Sequence, residues 1–149
     1  MSTILSKKEM TEEDIKFHYI SPAIVSKWDK DKITMETKIT DGKINLRGNL
    51  ISREKPKKAD YVLYLNPNKP IAIIEAKDNK HSISYGLQQA MTYAKMLDVP
   101  FAYSSNGDGF FEHDFLTGKE RELSMDEFPT EEELISRYKA ESNHGEGLS

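Results

Sequence analysis

Three residues of this chain have the types and spacing for metal-assisted acid–base chemistry: Asp60, Glu75 and Lys77. Glu75 and Lys77 lie in IAIIEAKDNK, residues 71–80, where a run of aliphatics breaks into a carboxylate and an ammonium with no turn residue between them. In an extended strand alternate side chains share a face, so Ala72, Ile74 and Ala76 point one way and Ile71, Ile73, Glu75 and Lys77 the other. Burying either charge unpaired is costly, so the two must pair, reach solvent or hold something else. Asp60 precedes Glu75 by fifteen residues, and the intervening NPNKP could fold two strands back so that both carboxylates reach one end of a hairpin. Two carboxylates there make a hard oxygen site of the kind Mg²⁺ uses, with water and a substrate phosphate completing the octahedron. Lys77 could then orient or deprotonate an attacking water, or stabilise charge on the pentacovalent phosphate. That is the equipment of metal-dependent phosphodiester hydrolysis. The same spacing also describes an exposed salt bridge, and spacing alone does not choose between them.

The elements that must position these residues are legible from periodicity. MTEEDIKFHYISPAIVSKWD, residues 10–29, reads as helix: Thr11 and Asp14 form a capping-box pattern, and Ile15, Tyr19, Ile20, Ala23, Ile24 and Trp28 can share a stripe. Ser21-Pro22 is a candidate restart, serine as N-cap and proline at the first helical position. ITMETKI, residues 33–39, alternates as a half-buried strand with Ile33, Met35, Thr37 and Ile39 on one face. Asp41-Gly42 marks a turn into a second strand, Lys43 to Leu50. Strands are expected over Tyr61 to Leu65 and Ile71 to Lys77 as a hairpin, the second being central. A helix is expected over Ser84 to Leu97, with Gly86 weakening its first turn. VPFAYSS and GFFEHDF read as two short strands, and PTEEELISRY as a last helix capped by Thr130 and Glu133. The order predicts an α/β or α+β domain: a mixed β-sheet flanked by helices.

Composition narrows the chemistry. The chain of 149 residues is long enough for one domain with one core. It has no cysteine, which removes disulfides, thiolate metal sites and thiol catalysis together. The net charge of −4 means that any nucleic-acid contact is local and not a matter of bulk charge. No segment approaches the length of a membrane span or the pattern of an export signal, so the chain is expected neither to span a membrane nor to be exported, and the lack of cysteine fits an intracellular setting. Arg53, Lys55, Lys57 and Lys58 run directly into Asp60 and read either as a guide for a DNA backbone or as a solvated loop. SSNGDGF, residues 104–110, lacks the spacing of a phosphate loop and reads as a tight turn, and the four histidines are too dispersed for a zinc site. No Walker A string occurs.

The pattern Asp60…Glu75-Ala76-Lys77 resembles the PD-(D/E)XK nuclease motif. Gln89 and Tyr93 in QQAMTY stand in the Q-x-x-x-Y arrangement of its RecB-like branch, four apart and so on one helix face. The longer string from PKKADYVLYL to GFFEHD is similar to the N-terminal nuclease domain of the R (restriction) subunit of type I restriction–modification enzymes. TEEDIKFHYISPAI is similar to that family's helical opening, although the family's acid-Thr-Arg string reads Asp14-Ile15-Lys16 here and proline before the motif aspartate is replaced by Ala59. The similarity covers residues 11–140.

The resemblance implies a restriction-endonuclease-like fold and an Mg²⁺-dependent endonuclease acting on double-stranded DNA. It implies that Asp60 and Glu75 ligate Mg²⁺ with help from Glu12, that Lys77 is the catalytic lysine, and that Gln89 and Tyr93 support the site or touch DNA. Arg53, Lys57 and Lys58 would add phosphate contacts. It further implies M and S subunits as partners in a prokaryotic cytoplasm, and an ATP-driven motor in the family's longer chain. The expected division is an N-terminal arm (1–10), the nuclease domain (11–140) and a linker toward the motor (141–149). A repair nuclease or junction resolvase of the same superfamily would share the three motif residues, and a docking module could retain the fold without activity.

Overall fold

The computed structural model describes residues 4–40, 42–46 and 57–147, the last six without their side chains. Its centre is a mixed seven-stranded sheet in the order β2-β1-β3-β4-β5-β6-β7, an α+β fold. The strands are β1 (Ile33–Thr40), β2 (Lys43–Ile44), β3 (Lys57–Asn66), β4 (Lys69–Ala76), β5 (Phe101–Ser105), β6 (Phe110–Asp114) and β7 (Glu120–Leu123). All neighbours are antiparallel except β4 and β5, which run parallel and are connected through a helix, as a parallel pair requires.

The aliphatic run Ile71–Ile74 makes β4 the buried spine of the sheet, covered on both faces. One face carries Tyr61, Leu63, Ala72, Ile74 and Ala76 against Ile15, Ile20, Ile24 and Trp28 of the N-terminal helical segment, with Phe128 and Leu134 from the chain's end. The other carries Val62, Tyr64, Ile73 and Ala102 against Ala90, Tyr93 and Ala94 of α3 (Leu87–Leu97). Each such buried aliphatic side chain contributes about 1.5–3 kcal/mol.

The N-terminal segment is continuous but irregular: α1 (Glu12–Ile15), a π-helical turn (Lys16–Ile20) and α2 (Ser21–Val25). Thr11 and Asp14 form the expected capping box, each 3.1 Å from the other's backbone N–H. Ser21 does not restart the helix, because its own backbone is helical and its N–H bonds the carbonyl of Lys16, five residues back. The wider turn accommodates Pro22, which has no N–H and would crowd the preceding turn of a regular helix. The extra residue brings both Ile15 and Lys16 to the inner face, where both are buried.

β1 departs from simple alternation. Ile33 packs with the N-terminal helices and Ile39 with α3, while Met35 is half exposed, so the expected four-residue face is broken. The break is Glu36, whose φ of 50° lies in the left-handed region that non-glycine residues rarely adopt. Thr34 and Thr37, three apart, consequently meet hydroxyl to hydroxyl at 2.6 Å. β2 is seen over two residues only: Asn45 and Leu46 of its expected span are not strand, and 47–50 lie outside the described residues.

α3 begins at Leu87, three residues later than the spacing predicts, with Gly86 at its N-cap. β7 is a strand that the sequence did not announce, since EREL has no apolar alternation. α4 spans Glu131–Gly147, so it runs on past residue 140 without a break. Thr130 caps it by accepting the Glu133 N–H at 3.1 Å, but the Glu133 carboxylate turns to Arg121 and Arg137 and does not close a box. Arg137 in turn reaches the buried Glu112 and Asp114 of β6, tying α4 to the sheet. Among the described residues no helix is long and apolar enough to cross a membrane.

Candidate active site

Pairing between β3 and β4 runs from Asn66 opposite Lys69 to Tyr61 opposite Ile74 and stops there. On the outer sides the ladders continue, β3 with β1 to Lys57 opposite Ile39 and β4 with β5 to Ala76 opposite Ser105. The sheet therefore forks between β3 and β4, and Asp60 and Glu75 are the first residues in the fork. Each carboxylate takes a main-chain N–H of the other's strand. Glu75 Oε2 accepts from Asp60 N at 2.9 Å, and Asp60 Oδ2 accepts from Ala76 N at 2.8 Å. Among the described residues nothing hydrogen-bonds the second Glu75 oxygen.

Glu75 is 3 % exposed, and burial together with the Asp60 charge pushes its carboxyl up to about 8 from an ordinary 4.5, against the opposing pull of the Asp60 N–H and Lys77. Asp60 is also raised, by burial first and by the Glu36 carboxyl, although the Ala76 N–H and Lys16 work the other way. Glu12, the first residue of α1, senses the same field: burial and Asp60 raise its carboxyl, while Lys77 and Lys16 lower it. Three acids thus share one low-dielectric neighbourhood and disfavour one another's charge, which a cation would relieve. Among the described residues no three acidic or histidine side chains are gathered closely enough to form a ready-made metal cage. The donor set fits a hard divalent cation bound through two carboxylates and water, the arrangement Mg²⁺ favours.

Lys77 continues β4 by one residue, its N–H bonding the Ser105 carbonyl at 2.9 Å. Its ammonium stands 5.8 Å from the centroid of the Tyr85 ring, which packs on His81. The backbone of Gly86 fits between these groups. A Cβ there would lie 3.3 Å from both Glu75 Cβ and Lys77 Cε and 3.1 Å from Ser104 Oγ, the atom that accepts the Gly86 N–H. The loop beyond Lys77 is fixed from below by Asn79 Nδ2 on the Asn106 carbonyl and Asn106 Nδ2 on the His81 carbonyl. SSNGDGF is the β5–β6 turn, as expected, with Gly107 at a φ of 92°.

Gln89 and Tyr93 share a face of α3, Gln89 Nε2 donating to Tyr93 Oη at 2.7 Å. Tyr93 is packed in the α3-side core and Gln89 is exposed, so the ring anchors the amide. Lys57 and Lys58 open β3, three and two residues ahead of Asp60, and Arg53 lies outside the described residues. Lys58 stands opposite Lys38 of β1 in register, and both are exposed. Like charges facing across a ladder are destabilising unless an anion lies between them.

Sequence reasoning missed Lys16 and Glu36. Lys16 is 1 % exposed, with its ammonium 3.0 Å from Glu13 Oε1, 3.2 Å from Glu36 Oε2 and 3.6 Å from Asp60 Oδ1. Burial works against the Lys16 ammonium, but Glu13, Asp60 and Glu36 overcome that and raise its pKa. The available signals were its position four residues after Glu12, on the same helical face, and its place at the basic position of the family's acid-Thr-Arg string.

The sequence profile described as "Type I restriction enzyme R protein N terminus (HSDR_N)" matches residues 12–129. Over 140 residues the chain is 41 % identical to the "Type I restriction enzyme EcoAI endonuclease subunit" of Escherichia coli, which covers 90 % of this chain and 17 % of that protein. Its fold is similar to that of a chain described as an HsdR-subunit fragment of a type I restriction enzyme from Vibrio vulnificus YJ016. The TM-score is 0.76 at 35 % identity, over 90 % of this chain and 26 % of the other. The chain therefore spans about a sixth of the E. coli relative, and it belongs to the family of type I restriction enzyme R proteins, of which it represents the N-terminal region.

Proposed function

We propose that this region is the Mg²⁺-dependent endonuclease of a type I restriction enzyme R subunit, with Asp60, Glu75 and Lys77 as its hydrolytic centre. The observation that carries the reading is the β3–β4 fork, which sets two desolvated carboxylates face to face with Lys77 two residues beyond Glu75. Asp60 and Glu75, with Glu12 beside them, are the residues that would hold Mg²⁺. When bound, the ion supplies Lewis-acid activation of a phosphodiester and of the attacking water. Lys77 orients or deprotonates that water, or balances charge on the phosphate, from a position limited by Gly86 and Tyr85. Gln89, held by Tyr93, supports the site or contacts the DNA backbone.

The Lys38–Lys58 pair supports DNA as substrate, because a phosphate between the two ammonium groups turns a repulsive ladder pair into an attractive one. Family membership favours restriction over repair or junction resolution, which would use the same three residues. In the complete enzyme, the S subunit would read the recognition sequence, the M subunit would methylate, and an ATP-driven motor in the longer R chain would deliver DNA to this centre in the prokaryotic cytoplasm.

The test is Mg²⁺-dependent plasmid cleavage by the complete R–M–S complex carrying Asp60→Asn, Glu75→Gln or Lys77→Ala. Cleavage is expected to disappear in each while ATP hydrolysis and DNA binding persist, and undiminished cleavage would refute the assignment. Lys38→Gln and Lys58→Gln are each expected to lower the slope of log affinity against log salt by up to about 0.9 for duplex DNA.

A further inference from the structure

Lys16 is a buried lysine set among carboxylates, and three local irregularities converge on it. The π-helical turn brings it inward beside Ile15. The positive φ of Glu36 places that carboxylate 3.2 Å from its ammonium. The fork in the sheet leaves Asp60 Oδ1 3.6 Å away on the third side. π-turns and strained backbone of this kind concentrate at functional sites. Regular helix and strand would have sufficed to bury an aliphatic residue here.

We propose that Lys16 is a positioning residue that fixes the Asp60 carboxylate for divalent-cation binding, with Glu36 as the strut that holds Lys16 in place. The inference rests on the proposed metal role of Asp60. Rotation of an aspartate carboxylate about its last torsion is soft. Here one oxygen is held by the Ala76 N–H at 2.8 Å and the other faces Lys16, so the carboxylate plane is set from both sides. A bare ammonium beside a metal ligand would repel the metal. Lys16 also pairs with Glu13 and Glu36, however, so part of its charge is balanced while it still faces Asp60 Oδ1. Without it, Glu13, Glu36 and Asp60 would repel one another and Asp60 would turn away from Glu75.

The experiment is Mn²⁺ titration of this chain by electron paramagnetic resonance, with thermal unfolding of each variant in chelator. Lys16→Met is expected to fold and to bind Mn²⁺ about tenfold more weakly, as is usual when a partner of a metal ligand is removed. Unchanged or tighter binding in folded Lys16→Met would overturn the proposal. Should Lys16→Met not fold, Glu36→Asn decides, since asparagine tolerates the left-handed backbone at that position. It is expected to weaken Mn²⁺ binding by less than Lys16→Met does, and unchanged binding would overturn the proposal. Asp60→Asn separates the two levels. If it too leaves Mn²⁺ affinity unchanged, the metal site itself is wrong. If it abolishes binding while the Lys16 and Glu36 variants do nothing, only the positioning role fails.

Discussion

Glu75→Gln should change the pH dependence of stability in a direction fixed by the structure. The Glu75 carboxyl titrates near 8 in the folded chain and near 4.5 unfolded. The folded state therefore keeps a proton that the unfolded state has already lost at intermediate pH. Stability falls as pH rises wherever the folded state binds more protons, so Glu75 contributes fully below about pH 4.5 and its contribution is lost as pH climbs through about 8. At about 1.36 kcal/mol per pH unit, that displacement corresponds to on the order of 5 kcal/mol, an upper figure because Asp60 shares the interaction. Carboxyls held below their ordinary values, such as Glu112, act at the other end: their contribution is lost only on acidification below about pH 4.5.

The assay is denaturant unfolding in chelator at pH 5 to 8.5 for the wild-type chain and Glu75→Gln. The amide keeps an oxygen for the Asp60 N–H, so the clamp geometry survives the substitution. Wild type is expected to lose several kcal/mol across this range relative to Glu75→Gln. Added Mg²⁺ should stabilise wild type increasingly as pH rises, since the cation competes with the proton for the same oxygens. Parallel pH profiles for the two proteins would refute the reasoning, because they would mean that Glu75 is already ionised in the folded state at pH 5.

Two further substitutions separate the site from its scaffold. Gly86→Ala requires Glu75, Lys77 and Ser104 to yield by a few tenths of an ångström. The backbone of Gly86, at φ −89°, suits alanine, so stability should stay within about 1 kcal/mol while cleavage by the complete complex falls about tenfold. Arg137→Ala strips the guanidinium from Glu112 and Asp114, both almost fully buried, and should cost about 3–5 kcal/mol, seen as a fall in Tm of roughly 10 °C.

The sequence displayed the parts of the site that rest on regular structure. Ile71–Ile74 reads as a buried strand and NPNKP as strong turn chemistry, which could bring both carboxylates to one end of a hairpin, and β3 and β4 do pair with Tyr61 opposite Ile74, next to Asp60 and Glu75. Tyr93 four residues after Gln89 likewise follows from helical spacing. What was not legible depends on departures from regularity that no residue type signals. Glutamate at position 36 gives no hint of a left-handed backbone, so alternation placed Met35 inside when it is half exposed. Lys16 lies outside the apolar stripe of its helix, and no residue type announces the π-turn at which it is buried. β7 owes its existence to the edge of β6 and to Arg121 reaching Glu112, neither of which appears in EREL itself. By propensity Gly86 weakens the first turn of α3. The fold instead needs its missing side chain to admit Glu75 and Lys77.

A forked sheet loses cross-strand hydrogen bonds at its opening, and buried main-chain N–H groups left without partners are costly. Asp60 and Glu75 answer that loss directly, each giving one oxygen to an N–H of the opposite strand. The same two side chains thus close the fork and line it, and one oxygen of each is committed to structure before any ligand arrives. Alanine at either position would remove the clamp together with the acid, so a dead alanine variant would not distinguish lost chemistry from an opened sheet. Asparagine and glutamine keep an acceptor for Ala76 N and Asp60 N while removing the charge. Loss of cleavage in those two variants, with unfolding transitions as cooperative as wild type's, would assign the deficit to the carboxylates' charge alone.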